Sequence, residues 1–470
     1  MNASQVSMPK EDLLRTLYGS GLAMMAISIP FFDAFTALGV IIALTAALMI
    51  RTAFPKPSKP LPLWSSEYAL ALILITAALS FAAVSDRMPA AMRFLEMLTG
   101  AAIFYLVKAH GRHSPERLVS ISGLMFFPFA LVVLFSIAQA VTGDYLTLIP
   151  RGMGGGLGAV KGRISSIFDS PNILAPYLLL ALPFLLGISS VKASSPGEKT
   201  VLRILLVLGL ASLVMTFSRN AWIAIVLSTA LMIFLSTERR MKAALISALA
   251  IFICFAAFAC VIKKDAVISH AYRQEPDRSR LITYRTALIM IRENPLSGVG
   301  LGNFRTAFPL YFSRGDISFF DGSAAWSAHD TLLQITAETG LPGGAAFIWF
   351  ISALLYEIVR GRKRSPPEGA IIQGALWGIL AMLLFGIFDC TISHHKCGFA
   401  FFFIAGCAAG LAEGRNDAKL PDSSAGKDRD MHCEMNKDKA EGLTEAPEMP
   451  APESETSGAP EEEGGGKAAR

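Results

Sequence analysis

The chain has 470 residues, 53% hydrophobic and only 17% charged, with a formal net charge of +5 and a mean hydropathy of +0.49. A soluble domain carries roughly 25% charged residues, so a soluble globular protein is excluded. The apolar runs are continuous rather than alternating, which excludes a β-barrel. The fold class expected is all-α, a polytopic membrane protein, with no nucleic-acid partner.

Apolar runs near the ~20 residues needed to cross a bilayer fall at about 14–32, 34–50, 67–84, 94–109, 117–141, 173–190, 201–217, 221–236, 243–262, 341–359, 369–388 and 398–412. They predict about twelve transmembrane helices in a domain over 1–412. Met1 to Leu13 is polar, and the first run leads into the second with no small-residue cleavage site, so no cleavable signal is expected. The short connections carrying Arg51/Lys56/Lys59, Lys108/Arg112/Arg117, Lys192/Lys199/Arg203, Arg239/Arg240/Lys242 and Arg360/Arg362/Lys363/Arg364 fall on one side. The positive-inside rule makes that side cytoplasmic, with both termini inside.

Three segments belong to the other side. The first, 142–172, is glycine-rich and ends in Arg163-Ile-Ser-Ser-Ile-Phe-Asp-Ser-Pro-Asn172, where Asn172 is expected to cap the next helix. The second is the turn Thr216-Phe-Ser-Arg219. The third, 263–328, is the large loop, rich in arginine (Arg273, Arg278, Arg280, Arg285, Arg292, Arg305, Arg314). Basic residues outside run against the topology rule, and binding an anion at the outer leaflet explains them. Within this loop, Ser279 to Arg292 predicts an amphipathic helix along the membrane surface. Leu281, Ala287, Leu288 and Ile291 fall near one face, with Arg278, Arg285 and Arg292 on another, solvated one. The tail, 413–470, is acidic and rich in Pro, Gly and Ser, which predicts disorder.

Gly298-x-Gly-x-Gly and Gly152–Gly158 lack the spacing and companions of nucleotide-binding loops and read as turns. Cys390 and Cys397 flank a short loop; a disulfide and two buried thiols are the alternatives. His394-His395 between them have no partner at ligand spacing, so no metal site is expected. Asp389 reads as a boundary residue. Ionisable groups at a membrane boundary mark sites by default. His329, followed by Gln334 and Glu338 at helical spacing, is a candidate general base, because histidine exchanges protons near neutral pH. Arg219, in a turn with almost no loop to solvate it, suits planar recognition of phosphate. Taken alone, Arg163 and Arg280 read as well as solvated loop charges.

The ordered set Arg163-Ile-Ser-Ser-Ile-Phe-Asp-Ser-Pro-Asn172, Thr216-Phe-Ser-Arg219, Ser279-Arg280-Leu-Ile-Thr-Tyr284, Asn294-Pro-Leu-Ser-Gly-Val-Gly-Leu-Gly-Asn-Phe304 and Ala328-His329-Asp330 through Glu338-Thr-Gly340 resembles the O-antigen ligase and polymerase superfamily. That family usually has Asn where Asp330 stands. The resemblance implies a glycosyltransferase fold of the GT-C type with one large periplasmic helical loop, in the bacterial inner membrane. It implies metal-independent, inverting transfer of a glycan from undecaprenyl pyrophosphate, without a cofactor. The acceptor is the lipid A–core sugar in the ligase branch, and another carrier-linked glycan in the polymerase branch. His329 would be the base, Arg219 and Arg280 would stabilise the leaving pyrophosphate, and Arg163, Arg285 and Gln334 would bind substrate. Glu338 would be a structural partner in the helix. A protein O-oligosaccharyltransferase is a third branch, and a transporter of a lipid-linked sugar is the alternative from another class.

Overall fold

The computed structural model describes residues 10–31, 33–54, 65–84, 86–143, 163–192, 195–235, 239–262, 275–312, 327–361 and 368–413. The glycine-rich stretch before Lys161, the two ends of the large loop, several basic connections and the tail lie outside them. Most of the described residues are helical, with no strand among them: α1 (Lys10–Ser28), α2 (Asp33–Ala53), α3 (Ser66–Leu79), α4 (Arg87–His113), α5 (Pro115–Ser122), α6 (Phe126–Thr142), α7 (Pro171–Lys192), α8 (Pro196–Met215), α9 (Arg219–Leu235), α10 (Arg239–Ile262), α11 (Glu275–Glu293), α12 (Phe304–Tyr311), α13 (Thr331–Gly361), α14 (Glu368–Phe385) and α15 (His395–Glu413).

Every expected span falls on a helix. Among the described residues, eight helical stretches are long and apolar enough to cross a membrane: Asp33–Ala53, Ser66–Ala83, Arg87–His113, Pro115–Thr142, Pro171–Val191, Thr331–Gly361, Glu368–Phe385 and His395–Glu413. Arg219–Leu235 and Leu245–Val261 are shorter apolar helices. The helices α1 and α8 begin in charged residues, Lys10, Glu11, Asp12 and Arg15 in one, Glu198, Lys199 and Arg203 in the other. The protein is an all-α polytopic membrane protein. Its centre is α7, α14 and α15, whose apolar side chains are nearly all buried, while α2, α3 and α9 keep large apolar groups such as Ile41, Ile75 and Ile223 on the outer surface. That is the arrangement of a bundle whose rim faces lipid.

One feature of the fold places the site. α13 is broken at Gly340 (φ 76°, ψ 179°), with Pro342 just beyond. Pro342 has no N–H, so the carbonyl of Glu338 loses its helical donor. The N–H of Leu341 turns to the carbonyl of Pro295 at 2.8 Å, which leaves the carbonyl of Ala337 without one as well. The loop after α11 replaces both: Val299 N–H donates to Ala337 O at 2.8 Å and Gly300 N–H to Glu338 O at 3.1 Å. Broken helices survive at membrane depth when neighbouring backbone re-satisfies the freed groups. The glycine motif 298–302 is therefore a patch on a helix break. A Cβ at Gly298 would lie 2.5 Å from Ala337 O, and one at Gly340 would lie 2.4 Å from Leu296 O. Leu301 N–H anchors the loop to Ser80 Oγ at 3.1 Å.

The helix ends opposite this loop are tied by buried charge. Lys108 Nζ contacts Glu67 Oε2 at 2.8 Å, Glu357 Oε2 at 2.7 Å and Glu413 Oε1 at 3.1 Å, and Arg112 bridges Glu67 and Glu413. These residues join the start of α3 to the ends of α4, α13 and α15. Removing one partner from such a buried network leaves uncompensated charge, at a cost of roughly 3–5 kcal/mol.

Candidate functional site

At the other end of the bundle, three non-helical segments meet the flank of one helix. The first, 163–170, folds back into the protein: Ile164, Ser165, Ser166, Ile167 and Phe168 are buried. Gln139 at the end of α6 holds it, its Oε1 accepting from the N–H groups of Ser165 (3.1 Å) and Ser166 (2.8 Å) and its Nε2 donating to Ser166 O at 3.1 Å. Arg163 leads this segment. Its Nε donates to Thr216 O at 2.6 Å, and its Nη2 donates to Asn172 Oδ1 at 2.8 Å. Asn172 is therefore not the helix cap expected. Pro171 takes the first helical position, where a missing N–H costs nothing, and the Asn172 amide serves the arginine.

The second segment is the turn Thr216-Phe217-Ser218 between α8 and α9, which ends in the exposed Arg219. The bond from Arg163 to Thr216 brings the two arginines together. The third element is the flank of α11 that carries Arg280 and Tyr284, both partly buried. Arg280 and Arg219 act on Arg163 directly. Burial first, then the like charges of Arg280 and Arg219, push the Arg163 guanidinium down to about 10, with Asp389 pulling the other way. Three arginines far apart in sequence thus form one positive cluster.

The fourth is the turn 327–330 before α13. His329 adopts φ 52°, and its side chain is 35% exposed. Tyr284 Oη donates to His329 O at 3.2 Å. Asp330 caps α13, its Oδ1 accepting from Leu333 N–H at 2.7 Å. Burial raises the Asp330 carboxyl above its usual range, opposed by the N–H groups of Leu333 and Leu332. Gln334 is buried; its Oε1 accepts from Ala328 N–H at 2.6 Å and its Nε2 donates to Glu338 Oε1 at 2.7 Å. Gln334 thus braces the turn that presents His329, and Glu338 is its partner in the helix, as expected.

Asp389 is the residue that sequence reasoning passed over. It is not a mere span boundary: its Oδ1 lies 3.4 Å from His329 Nδ1 and accepts from Cys390 N–H at 2.9 Å. Thr331 fixes the approach, its Oγ1 donating to Asp389 O at 3.0 Å and its N–H to Gly386 O at 2.9 Å. No motif links positions 329 and 389, so only the contact between the start of α13 and the end of α14 reveals the pair. Burial raises the Tyr284 hydroxyl above its ordinary range; Asp330 and Asp389 add to this and Arg280 opposes it.

Among the described residues, the non-glycine residues with positive φ are Ser166, Phe217 and His329. Each lies in a segment of this site. A bulky residue in the left-handed region costs of order 1–3 kcal/mol, and such strain gathers where function needs it.

Three further expectations resolve here. Cys390 and Cys397 are free thiols; Cys390 faces Asp330 O at 3.4 Å and Cys397 faces Ile173 O at 3.3 Å. His394 and His395 do find acidic neighbours from distant segments, Asp169 at 3.3 Å for one and Asp33 at 3.2 Å for the other. On α11 the leucines and arginines are not on separate faces: Leu281 and Leu288 share the exposed side with Arg285 and Arg292, and Ile282, Thr283, Thr286, Ala287 and Met290 make the buried side. The helix turns that face inward because it packs on α13 and helps build a small separate core with Val299, Phe304 and Phe308.

The arrangement combines a positive cluster suited to a multiply charged anion with an imidazole backed by a carboxylate. No curated protein matches the chain. Residues 204–348 match the family model for O-antigen ligase. That range includes Arg219, Arg280 and His329, whereas Arg163 and Asp389 join them only in space. Over these residues the chain is similar to the O-antigen ligase family.

Proposed function

We propose that the protein transfers a glycan from an undecaprenyl-pyrophosphate carrier to a sugar hydroxyl of lipid A–core at the periplasmic face of the bacterial inner membrane. The observation that carries this reading is the meeting of Arg163, Arg219 and Arg280 with the His329–Asp389 pair at one end of a membrane bundle. The family match supports lipid-linked glycan transfer in general. The donor, the acceptor and the roles below are our assignment.

The leaving group is a pyrophosphate, which departs with negative charge. Preorganised guanidinium groups stabilise that charge as it develops, and such electrostatic stabilisation is often what contributes most to catalysis. Arg219 and Arg280 take this role, and Arg163, fixed by Thr216 and Asn172, reinforces the field. His329 removes the proton from the attacking hydroxyl. Asp389 on Nδ1 holds the imidazole so that Nε2 is the basic nitrogen, the usual division of labour in a His–carboxylate pair. The 3.4 Å separation is long for a hydrogen bond, and such contacts often tighten only with substrate bound. Direct attack inverts the anomeric centre; a covalent route needs a carboxylate beside that carbon. Glu338 is occupied with Gln334 inside the helix. Gln334 acts through the turn that carries His329, and Arg285 lies on the exposed face of α11.

The test uses purified protein and its His329→Ala variant with an undecaprenyl-pyrophosphate glycan, with and without lipid A–core and with chelator present. Glycan on lipid A–core, absent from the variant reaction, is the expected result. Longer carrier-linked chains without lipid A–core would replace the ligase reading with a polymerase. Absence of product from either reaction would sink both and move weight to a protein acceptor or to transport.

A further inference from the structure

α11 carries more than Arg280 and Tyr284. At 100° per residue, Leu281, Arg285, Leu288 and Arg292 fall within an arc of about 60°. All four are exposed, Leu281 at 66% and Leu288 at 56%. The exposed acid near the end of the helix, Glu293, falls outside that arc. Ile282, Thr283, Thr286, Ala287 and Met290 occupy the opposite side and are buried. Just beyond the helix, Leu296 is 80% exposed; on α12, Leu310 is 83% exposed and Arg305 is exposed as well.

A face turned to water gains nothing from leucines in line with arginines. A helix lying in the interfacial plane of a bilayer gains from both: leucines enter the acyl boundary, and arginine stems lie along it with their guanidinium groups among the phosphates. The attachment of α11 fits that position. It packs on α13, and the loop that follows it is bonded to Ala337 and Glu338, where α13 breaks. The opposite side of α11 is already committed to the protein.

We propose that the Leu281–Arg285–Leu288–Arg292 face of α11 docks on the bilayer and binds anionic phospholipid headgroups, and so holds Tyr284 against His329. The arginines match lipid phosphate and the leucines match the adjoining acyl region. This goes beyond the transfer chemistry and does not depend on it. It assigns Arg285 to lipid rather than to the glycan carrier.

The experiment places a tryptophan at the arc, Leu288→Trp, in the full-length protein in nanodiscs. Its emission is read as the difference from the parent protein. The nanodiscs contain dibrominated phosphatidylglycerol in one case and dibrominated phosphatidylcholine in the other. Quenching by the brominated phosphatidylglycerol, stronger than by the phosphatidylcholine, is the expected result. Arg285→Gln should reduce that preference about five-fold, the worth of one arginine near an anionic surface, and Arg285→Glu with Arg292→Glu should abolish it. Equal quenching by the two lipids would overturn the anionic preference. Quenching only by a water-soluble agent would overturn docking altogether. Leu281→Trp repeats the measurement from the same arc should Leu288→Trp fail to fold. The readout needs no glycan transfer, so its failure and that of the transferase reading are separable.

Discussion

His329 Nδ1 lies 3.4 Å from Asp389 Oδ1, and the two residues reach each other from the turn before α13 and the turn after α14. Those turns are clamped by Thr331, which bonds Gly386 O and Asp389 O. The pair therefore moves with two membrane helices rather than with a loose loop.

Both members of this pair can be tested by substitution. His329→Ala should abolish transfer. Asp389→Asn keeps the shape but removes the charge that holds the imidazole, and should lower kcat by roughly 10²-fold or more, within the range for general acid–base groups. Steady-state rates with donor and acceptor both saturating check this. A fully active Asp389→Asn enzyme would show that the contact is structural only.

Charge in the arginine cluster is open to the same approach. Arg219→Ala and Arg280→Ala should each reduce kcat/KM by roughly 10²–10³-fold, the usual cost of one oriented donor at a developing anion. Lysine should not restore either, because it lacks the planar fork. For Arg163→Ala the expected loss includes fold stability, since this side chain ties segment 163–170 to Thr216 and Asn172. A melting curve beside the rate separates the two effects. Wild-type rates in both Arg219→Lys and Arg280→Lys would remove the case for bidentate recognition.

At the break in α13, Pro342→Ala restores an N–H that can reach Glu338 O, in competition with Gly300. We expect faster amide exchange at Val299 and Gly300 and lower activity, with the protein still inserted. Gly340→Val should be worse, because its Cβ would meet Leu296 O at 2.4 Å in a backbone conformation that suits glycine. Unchanged exchange at Val299 and Gly300 in Pro342→Ala would show that the loop does not depend on the break.

pH dependence follows from His394 and Asp169, whose side chains lie 3.3 Å apart. Burial holds the His394 imidazole below its ordinary value, although Asp169 pulls it upward; His395 and Lys396 act with burial. Burial would raise the Asp169 carboxyl, but the hydrogen bond and charge of His394, with Lys396 and His395, hold it below its usual range. Both groups bind protons less readily in the folded protein than in the unfolded chain. The His394 contribution is therefore present above about pH 6.5 and lost as pH falls from there through the lower folded value. Asp169 adds a further loss below about pH 4. Melting temperatures from pH 7 to 5 should fall less steeply in His394→Gln than in the parent. Equal slopes would falsify the assignment.

Much of the architecture was legible in the chain because membrane spans announce themselves locally. A run of about 20 apolar residues has little choice but to become a helix in lipid, and each expected span falls on one. The arginines and His329 were legible for a related reason: charge at a membrane boundary is conspicuous in an apolar chain. The glycine motif was visible too, but only as a turn. Its purpose, supplying N–H groups to a helix broken at Gly340, depends on a partner some forty residues away. Asp389 and the partners of His394 and His395 were hidden because each gains its meaning from a helix end that sequence spacing does not bring near. On α11 the leucines and arginines could be named but not assigned to faces, because the helix chooses its inward side by packing on α13.

Sequence alone determined the class of molecule, the positions of its spans and the residues worth testing, since hydrophobic length and misplaced charge are properties of single segments. Tertiary structure alone decided that Arg163, Arg219 and Arg280 share one field, that Asp389 stands behind His329, and which side of α11 is left exposed. Those are distances between segments, and they exist only once helix ends have been packed against one another.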